Sequence, residues 1–171
     1  MRNGRKDIGK YIGEYTARGV LTEEQTEAGN PAKIQLHDGK FDTAFKVIEF
    51  HVWSTNTSNN TNPDVVGKLS TSRNSTQNPA EFFQAKDSNE IAWCASGFGL
   101  DGQNAGTFSE FILDHDNIVM EDLWVYVRSA TDTTPVNYIV RMEKYEVGST
   151  IGAVTMAKGK SRDSGSNWSP E

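Results

Sequence analysis

Two stretches in the last third of the chain alternate with a period of two. In 119–127 the odd positions Val119, Leu123, Val125 and Val127 are apolar, with Glu121 the exception, and the even positions include Asp122, Trp124 and Tyr126. In 136–142 the even positions Val136, Tyr138, Val140 and Met142 are apolar, facing Asn137 and Arg141. Successive side chains of a strand point to opposite faces, so this pattern fits half-buried antiparallel strands. A slip of one residue would turn each apolar face outward, which fixes the register strongly. Joined through SATDTTP, residues 119–128 and 136–146 are expected to pair as a hairpin, with Val125 and Tyr138 toward the core. The whole run holds no plausible catalytic group.

The same texture, less regular, begins near residue 32. KIQL and FDTAFKVIEFHVW, separated by the turn-forming HDG at 37–39, read as two strands rich in β-branched and aromatic residues. Simple alternation places Ile48, Phe50 and Val52 on one face and Val47, Glu49, His51 and Trp53 on the other. STNTSNNTNPD is a polar loop, DVVGKLST a short strand, and STSRNSTQN a second loop. A helical turn is expected from Pro79, which tolerates the first helical position. IAWCASGFG and TFSEFIL read as strands flanking the glycine-rich GLDGQNAG, and TIGAVTM as a weak one. The first thirty residues look polar and irregular; Glu23, Glu24 and Glu27 admit either one helical turn or a solvated loop. From Lys158 the tail shows no alternation and is expected to be disordered without a partner.

Strands at this spacing, with turn signals between them, imply an all-β fold, an antiparallel β-sandwich or barrel, with flexible N- and C-terminal arms. The expected division is a basic and polar arm over 1–30, a β-sandwich domain over 31–157 and a flexible tail over 158–171. At 171 residues the chain suits one domain with a substantial core. Its formal charge of −6 is unevenly spread. Residues 1–18 carry Arg2, Arg5, Lys6, Lys10 and Arg18 against Asp7 and Glu14, a net +3, while 19–157 carry a net −10. An acidic body repels nucleic acid, leaving the leading arm as the only segment suited to phosphate or to an acidic neighbour.

Chemistry-bearing patterns are sparse. The single cysteine, Cys94, excludes an internal disulfide, and among small and apolar neighbours it reads as a buried inert thiol. His37, His51 and His115 lie far apart, with no metal-binding spacing; a nucleophilic site would need a serine or Cys94 brought to a histidine and an acid in space. Asp114, Asp116 and Glu121 resemble the beginning of a calcium loop, but its glycine and terminal glutamate are missing, and Asx turns explain the aspartates equally well. Carboxylate pairs for glycoside hydrolysis drawn from Glu49, Glu110, Glu121 and Glu143 are no more than any all-β chain offers. No phosphate-binding glycine motif follows a strand. No catalytic residue, cofactor site or metal site is therefore expected. MRNGRKDIGKYIGEY starts basic without reaching an apolar run, and no segment approaches the ~20 apolar residues of a membrane span. Neither a signal peptide nor a membrane-spanning segment is expected.

The aromatic residues are the more informative group. Trp53, Trp124 and Tyr126 fall on the less apolar faces of their strands, where they suit either sugar stacking or cover by a loop, a second sheet or a neighbouring subunit. Together with Arg2, Arg5, Lys6 and Lys10 of the arm they are the candidate interface residues.

The run DNIVMEDLWVYVRSATDTTPVNYIVRMEKYEV resembles the closing hairpin of small β-rich structural proteins of marine viruses, and RNGRKDIGKYIGEYTARGV is similar to their leading arms. The resemblance implies a capsid or capsid-associated subunit of the virion with a jelly-roll-like fold and no enzymatic activity. Its implied partners are copies of itself, as a homo-oligomer, and other virion proteins. A carbohydrate-binding β-sandwich serving virion attachment is the alternative.

Overall fold

The alternating stretches become strands with their apolar faces inward: Val119, Leu123, Val125, Val127, Val136, Tyr138, Val140 and Met142 are all buried. They do not form the expected hairpin, however, because the two strands lie in different sheets. The computed structural model describes residues 9–36, 42–55, 64–99, 106–129 and 134–148. Within these residues the strands are β1 (Lys10–Leu21), β2 (Ala32–Ile34), β3 (Thr43–Ser54), β4 (Val65–Ser70), β5 (Glu90–Gly99), β6 (Gly106–Leu113), β7 (Leu123–Ser129) and β8 (Val136–Glu146). One short helix, α1 (Glu23–Glu27), and a 3-10 turn at Pro79–Glu81 complete the regular structure. The expected strand at TIGAVTM, the leading eight residues and the C-terminal tail lie outside the described residues.

A three-stranded sheet, in the order β1-β8-β3, faces a five-stranded sheet in the order β2-β7-β4-β5-β6, and all ladders are antiparallel. The first strand pairs with the last, the second with the seventh, and the fourth with the fifth. The third and sixth meet through side chains, His51 against Ser109 and Phe111. This nesting of a folded-over chain is similar to jelly-roll connectivity, except that β6 ladders to β5 and extends the larger sheet instead of pairing with β3. The two inner faces form one apolar core from Leu21 to Met142. The approach of the sheets is close enough to require Gly67: a Cβ there would lie 2.6 Å from Val52 Cγ1 and 3.1 Å from Phe50 Cζ.

Residues 10–27 correct the expectation of an irregular arm. β1 pairs along β8, with Tyr15 opposite Met142, Ala17 opposite Val140, Gly19 opposite Tyr138 and Leu21 opposite Val136. Directly opposed residues share a face, so these point inward while Glu14, Thr16, Arg18 and Val20 point outward. Small inward residues hid the period. Gly19 is needed because a Cβ would lie 2.6 Å from Tyr138 Oη. The chain then enters α1 through a capping box, in which Gln25 N donates to Thr22 Oγ1 (3.2 Å) and Thr22 N donates to Gln25 Oε1 (2.8 Å). The buried Glu23 anchors this turn to Arg128 of β7.

β3 also departs from simple alternation. A bulge between Val47 and Glu49 places Val47, Phe50 and Val52 on the core side and leaves Ile48 only half-buried. Asn117 completes the ladder beside the bulge: Val47 N donates to its Oδ1 (2.8 Å), and its Nδ2 donates to Val47 O (3.2 Å). Two residues on, Phe45 and Val119 exchange backbone hydrogen bonds at 2.7 and 2.8 Å. The 114–119 connection thus covers the first half of the β3 edge.

Candidate functional site

Over β4, β5 and β7 the outer face of the five-stranded sheet is sealed by the chain itself, whereas Ile112 of the edge strand β6 stays 67% exposed on that face. Lys68 points outward from the middle of β4, between Trp93 of β5 and Tyr126 of β7, and is fully buried. Its Nζ donates to Glu90 Oε1 (2.6 Å), Thr76 O (2.8 Å) and Phe82 O (2.8 Å), which uses all three ammonium protons. The ammonium also lies 4.7 Å from the Phe82 ring centroid. Glu90 is equally buried and accepts from Lys68, Ser75 Oγ (3.0 Å), Gln84 N (2.8 Å) and Trp93 Nε1 (2.8 Å). Burial pulls the Lys68 ammonium down from its ordinary pKa while the Glu90 carboxylate holds it up. With every polar atom of the pair engaged, this network pins the 71–89 connection across the sheet and has no free group to offer a substrate.

That seal decides the fate of two candidate interface residues. Tyr126 is 1% exposed, and its hydroxyl donates to Ser72 O (3.0 Å) and Arg73 O. Burial pushes the phenol up to about 12. Tyr126 is therefore a core-like residue of this chain and not a surface for a partner, a correction to the sequence reading. Trp124 is half-buried, with two cations near its ring: Lys33 Nζ 5.7 Å and Arg73 5.6 Å from the centroid.

The outer face of the three-stranded sheet is open. Trp53, near the end of β3, is 42% exposed, and Val20 of β1 is 56% exposed; Asn137 of β8 lies opposite both. Beside these two side chains, which Asn137 separates, runs a polar row. Arg141 bridges Glu14 (3.5 Å) and Glu49 (2.6 Å), Glu49 meets His51 Nε2 at 3.0 Å, and Ser109 Oγ lies 3.4 Å from His51 Nδ1. Arg141 beside Glu49 holds its carboxyl below the ordinary carboxylate value. A hydroxyl, an imidazole and a carboxylate in sequence is the arrangement that activates a nucleophile. Here the hydroxyl contact is long, the acid is already tied to an arginine, and all three groups stand on an open strand face. The row reads as a surface network tying β3 to β8 and β6. Phe111 of β6 supports it edge-on, 4.8 Å from the His51 ring.

The remaining candidates fall as follows. Lys10 is exposed at the start of β1, and Arg2, Arg5 and Lys6 lie outside the described residues, as does His37. Among the described residues no three His, Cys, Asp or Glu side chains are grouped to hold a metal ion. Asp114 instead accepts from Asp116 N (3.0 Å) in an Asx turn. Cys94 is buried, and desolvation raises its thiol far above the ordinary value, which fits an inert role. No helix among the described residues is long and apolar enough to cross a membrane. Sequence reasoning missed Lys68, Glu90, Asn117 and Arg141. The one available signal was a lysine in the middle of VVGKLS, a strand otherwise suited to burial.

No protein-family model, no curated protein and no solved structure matches the chain. Function must be argued from the geometry.

Proposed function

We propose that this protein is a viral structural protein, a capsid or capsid-associated subunit that assembles with copies of itself or with other proteins of the virion. The observation that carries this reading is the nested, jelly-roll-like strand order combined with apolar side chains left open on the small sheet. Jelly rolls serve as shell and lectin domains, and exposed aromatic and apolar side chains on a stable sheet suit a surface for association. A closed assembly repeats one contact many times, so a modest surface suffices. The sealed face argues in the same direction, because the buried polar network stabilises a scaffold and offers no substrate cleft. The resemblance of the Asp116–Val147 run to virion proteins supplies the viral setting.

The second reading is a carbohydrate-binding sandwich for virion attachment, favoured by Trp53, whose ring is open beside Asn137 and His51. Stacking on a pyranose face and hydrogen bonds to sugar hydroxyls would use those groups. One experiment separates the two: the mass of the full chain across a concentration series, with Trp53 emission isolated by comparison with Trp53→Phe. Assembly predicts larger species in which Trp53 emission moves to the blue and ignores added sugars. A chain that stays monomeric and binds glycans only while Trp53 is intact establishes the lectin reading instead.

A further inference from the structure

The free edge of β1 is self-complementary. β1 ends the three-stranded sheet and ladders only to β8, so its other row of backbone groups has no strand partner among the described residues. Glu14, Thr16, Arg18 and Val20 stand on its outer face, with Val20 56% and Ile12 47% exposed. Arg18 is exposed and makes no ion pair with another described residue, and Glu14 reaches only one arginine, at 3.5 Å.

Two identical strands can pair antiparallel only about a two-fold axis. Pairing also needs outward-pointing backbone groups on both sides, so the axis falls on a residue and like positions face like. With the axis on Thr16, Glu14 faces Arg18 of the second copy and Arg18 faces its Glu14. Gly13 faces Gly19 and Tyr15 faces Ala17. Every neighbouring register is worse. An axis on Glu14 or Arg18 sets like charge against like charge; one on Tyr15 leaves Arg18 facing the bulge at Ile12; one on Ala17 sets Glu14 against Val20. Charges on an edge strand ordinarily block pairing, but here their symmetric placement favours one register over its neighbours. The bulge at Ile12, between Tyr11 and Gly13, ends the regular ladder just beyond the matched segment 13–19.

We propose that β1 pairs antiparallel with β1 of a second copy about Thr16, joining two small sheets into one continuous sheet, β3-β8-β1-β1-β8-β3. This deepens the assembly reading, on which it rests, by naming the partner and the register. Opposite charges directly across a ladder are favourable and like charges are not, so the edge selects its own copy.

The test is sedimentation of the full chain and of two charge variants, Arg18→Glu and Glu14→Arg, each confirmed as folded by its β-type circular dichroism. The wild type is expected to dimerise. Each variant alone should associate at least tenfold more weakly, and an equal mixture of the two should regain the dimer, since every facing pair is again opposite in sign. In an otherwise unchanged chain, Thr16→Cys should form a disulfide-linked dimer on mild oxidation, the facing Cα atoms being ~4.5–5.5 Å apart in such a ladder. Dimers that persist unchanged in both variants, with no cross-link at position 16, would overturn the edge pairing and leave assembly intact. A wild type that remains monomeric at every concentration would overturn both.

Discussion

The two outer faces of the sandwich differ in a way that reverses the usual expectation. The large sheet carries a lysine, a glutamate, a serine and a tyrosine on its outer side, and all four are buried: Lys68, Glu90, Ser70 and Tyr126. The small sheet carries Val20, Trp53 and Ile139 on its outer side, and these remain open or only half-covered. Side-chain polarity did not decide which face is dry; the connections did. Residues 71–89 fold back over β4, β5 and β7, and the polar side chains beneath serve as their anchor points. Nothing among the described residues crosses the small sheet in the same way. One face is thus largely covered by the chain and the other left open.

Breaking the sealed face should give the largest effect. Glu90→Ala leaves the Lys68 ammonium buried without its counter-ion and strands the donors of Ser75, Gln84 and Trp93. The expected cost is ~3–5 kcal/mol in urea unfolding, the range for removing one partner of a buried pair. Replacing both partners, Lys68→Met with Glu90→Leu, should cost less than Glu90→Ala alone, because no uncompensated charge remains. If the single substitution is as mild as a surface change, water reaches the pair and the face is not sealed.

Tyr126→Phe asks for less. It removes one hydroxyl and leaves the carbonyls of Ser72 and Arg73 without their donor, at an expected cost of ~1–3 kcal/mol. Hydrogen exchange should accelerate first at the amides of residues 71–76, while the β4–β7 ladder beneath keeps its protection. Uniform acceleration along the ladder would mean that the connection is not a separate layer held by this contact.

The difference between the faces also explains what the sequence could and could not reveal. Inward positions were readable wherever both faces obeyed the period: Val125, Val127, Tyr138 and Val140 are buried as expected. Pairing was not readable, because alternation says which way a side chain points and nothing about which strand lies alongside. β7 and β8 therefore looked like a hairpin while belonging to opposite sheets. β1 was missed because Ala17 and Gly19 occupy inward positions where Tyr138 supplies the bulk. The face of Val47 was misassigned because a bulge, completed by an asparagine seventy residues away, leaves no local trace. The sealed face was hidden for the same kind of reason. A lysine in VVGKLS and a glutamate in NEIAW declare themselves a pair only once the connection between them is folded. Of the candidate interface residues, Trp53 is exposed and Tyr126 is buried, although both fall on the less apolar faces of their strands and alternation alone did not say which would be covered.

On the open face the effects should be small and conditional. Glu49 has its pKa held below the ordinary 4.5 by the Arg141 hydrogen bond. A carboxyl with a lowered folded-state pKa contributes stability above its unfolded value, and that contribution fades as pH falls through the folded value. The window therefore lies below about pH 4.5: Glu49→Gln should lower stability slightly at neutral pH, where the carboxylate contributes, and flatten the acid arm so that the two curves converge at low pH. Solvent screening keeps this far below the Glu90 effect. An equally large loss at neutral pH would show the polar row to be buried under something beyond the described residues.

Val20→Thr should be the mildest change to the fold and the sharpest test of the contrast with Tyr126. Both substitutions alter a single hydroxyl, one by adding it on the open face and the other by deleting it under the seal. Threonine is β-branched like valine and retains strand preference. At a position 56% exposed, the new hydroxyl remains in water, so unfolding should move by no more than ~0.5 kcal/mol, as for surface changes generally. Association should nevertheless weaken, because pairing about Thr16 brings Val20 to the end of the paired segment, beside the bulge at Ile12 of the second copy, and the hydroxyl would there lose water. A fold destabilised as strongly as by Tyr126→Phe would mean that the small sheet is covered after all. An unchanged fold with unchanged association would place the contact elsewhere on the open face, where Trp53 is the next residue to change.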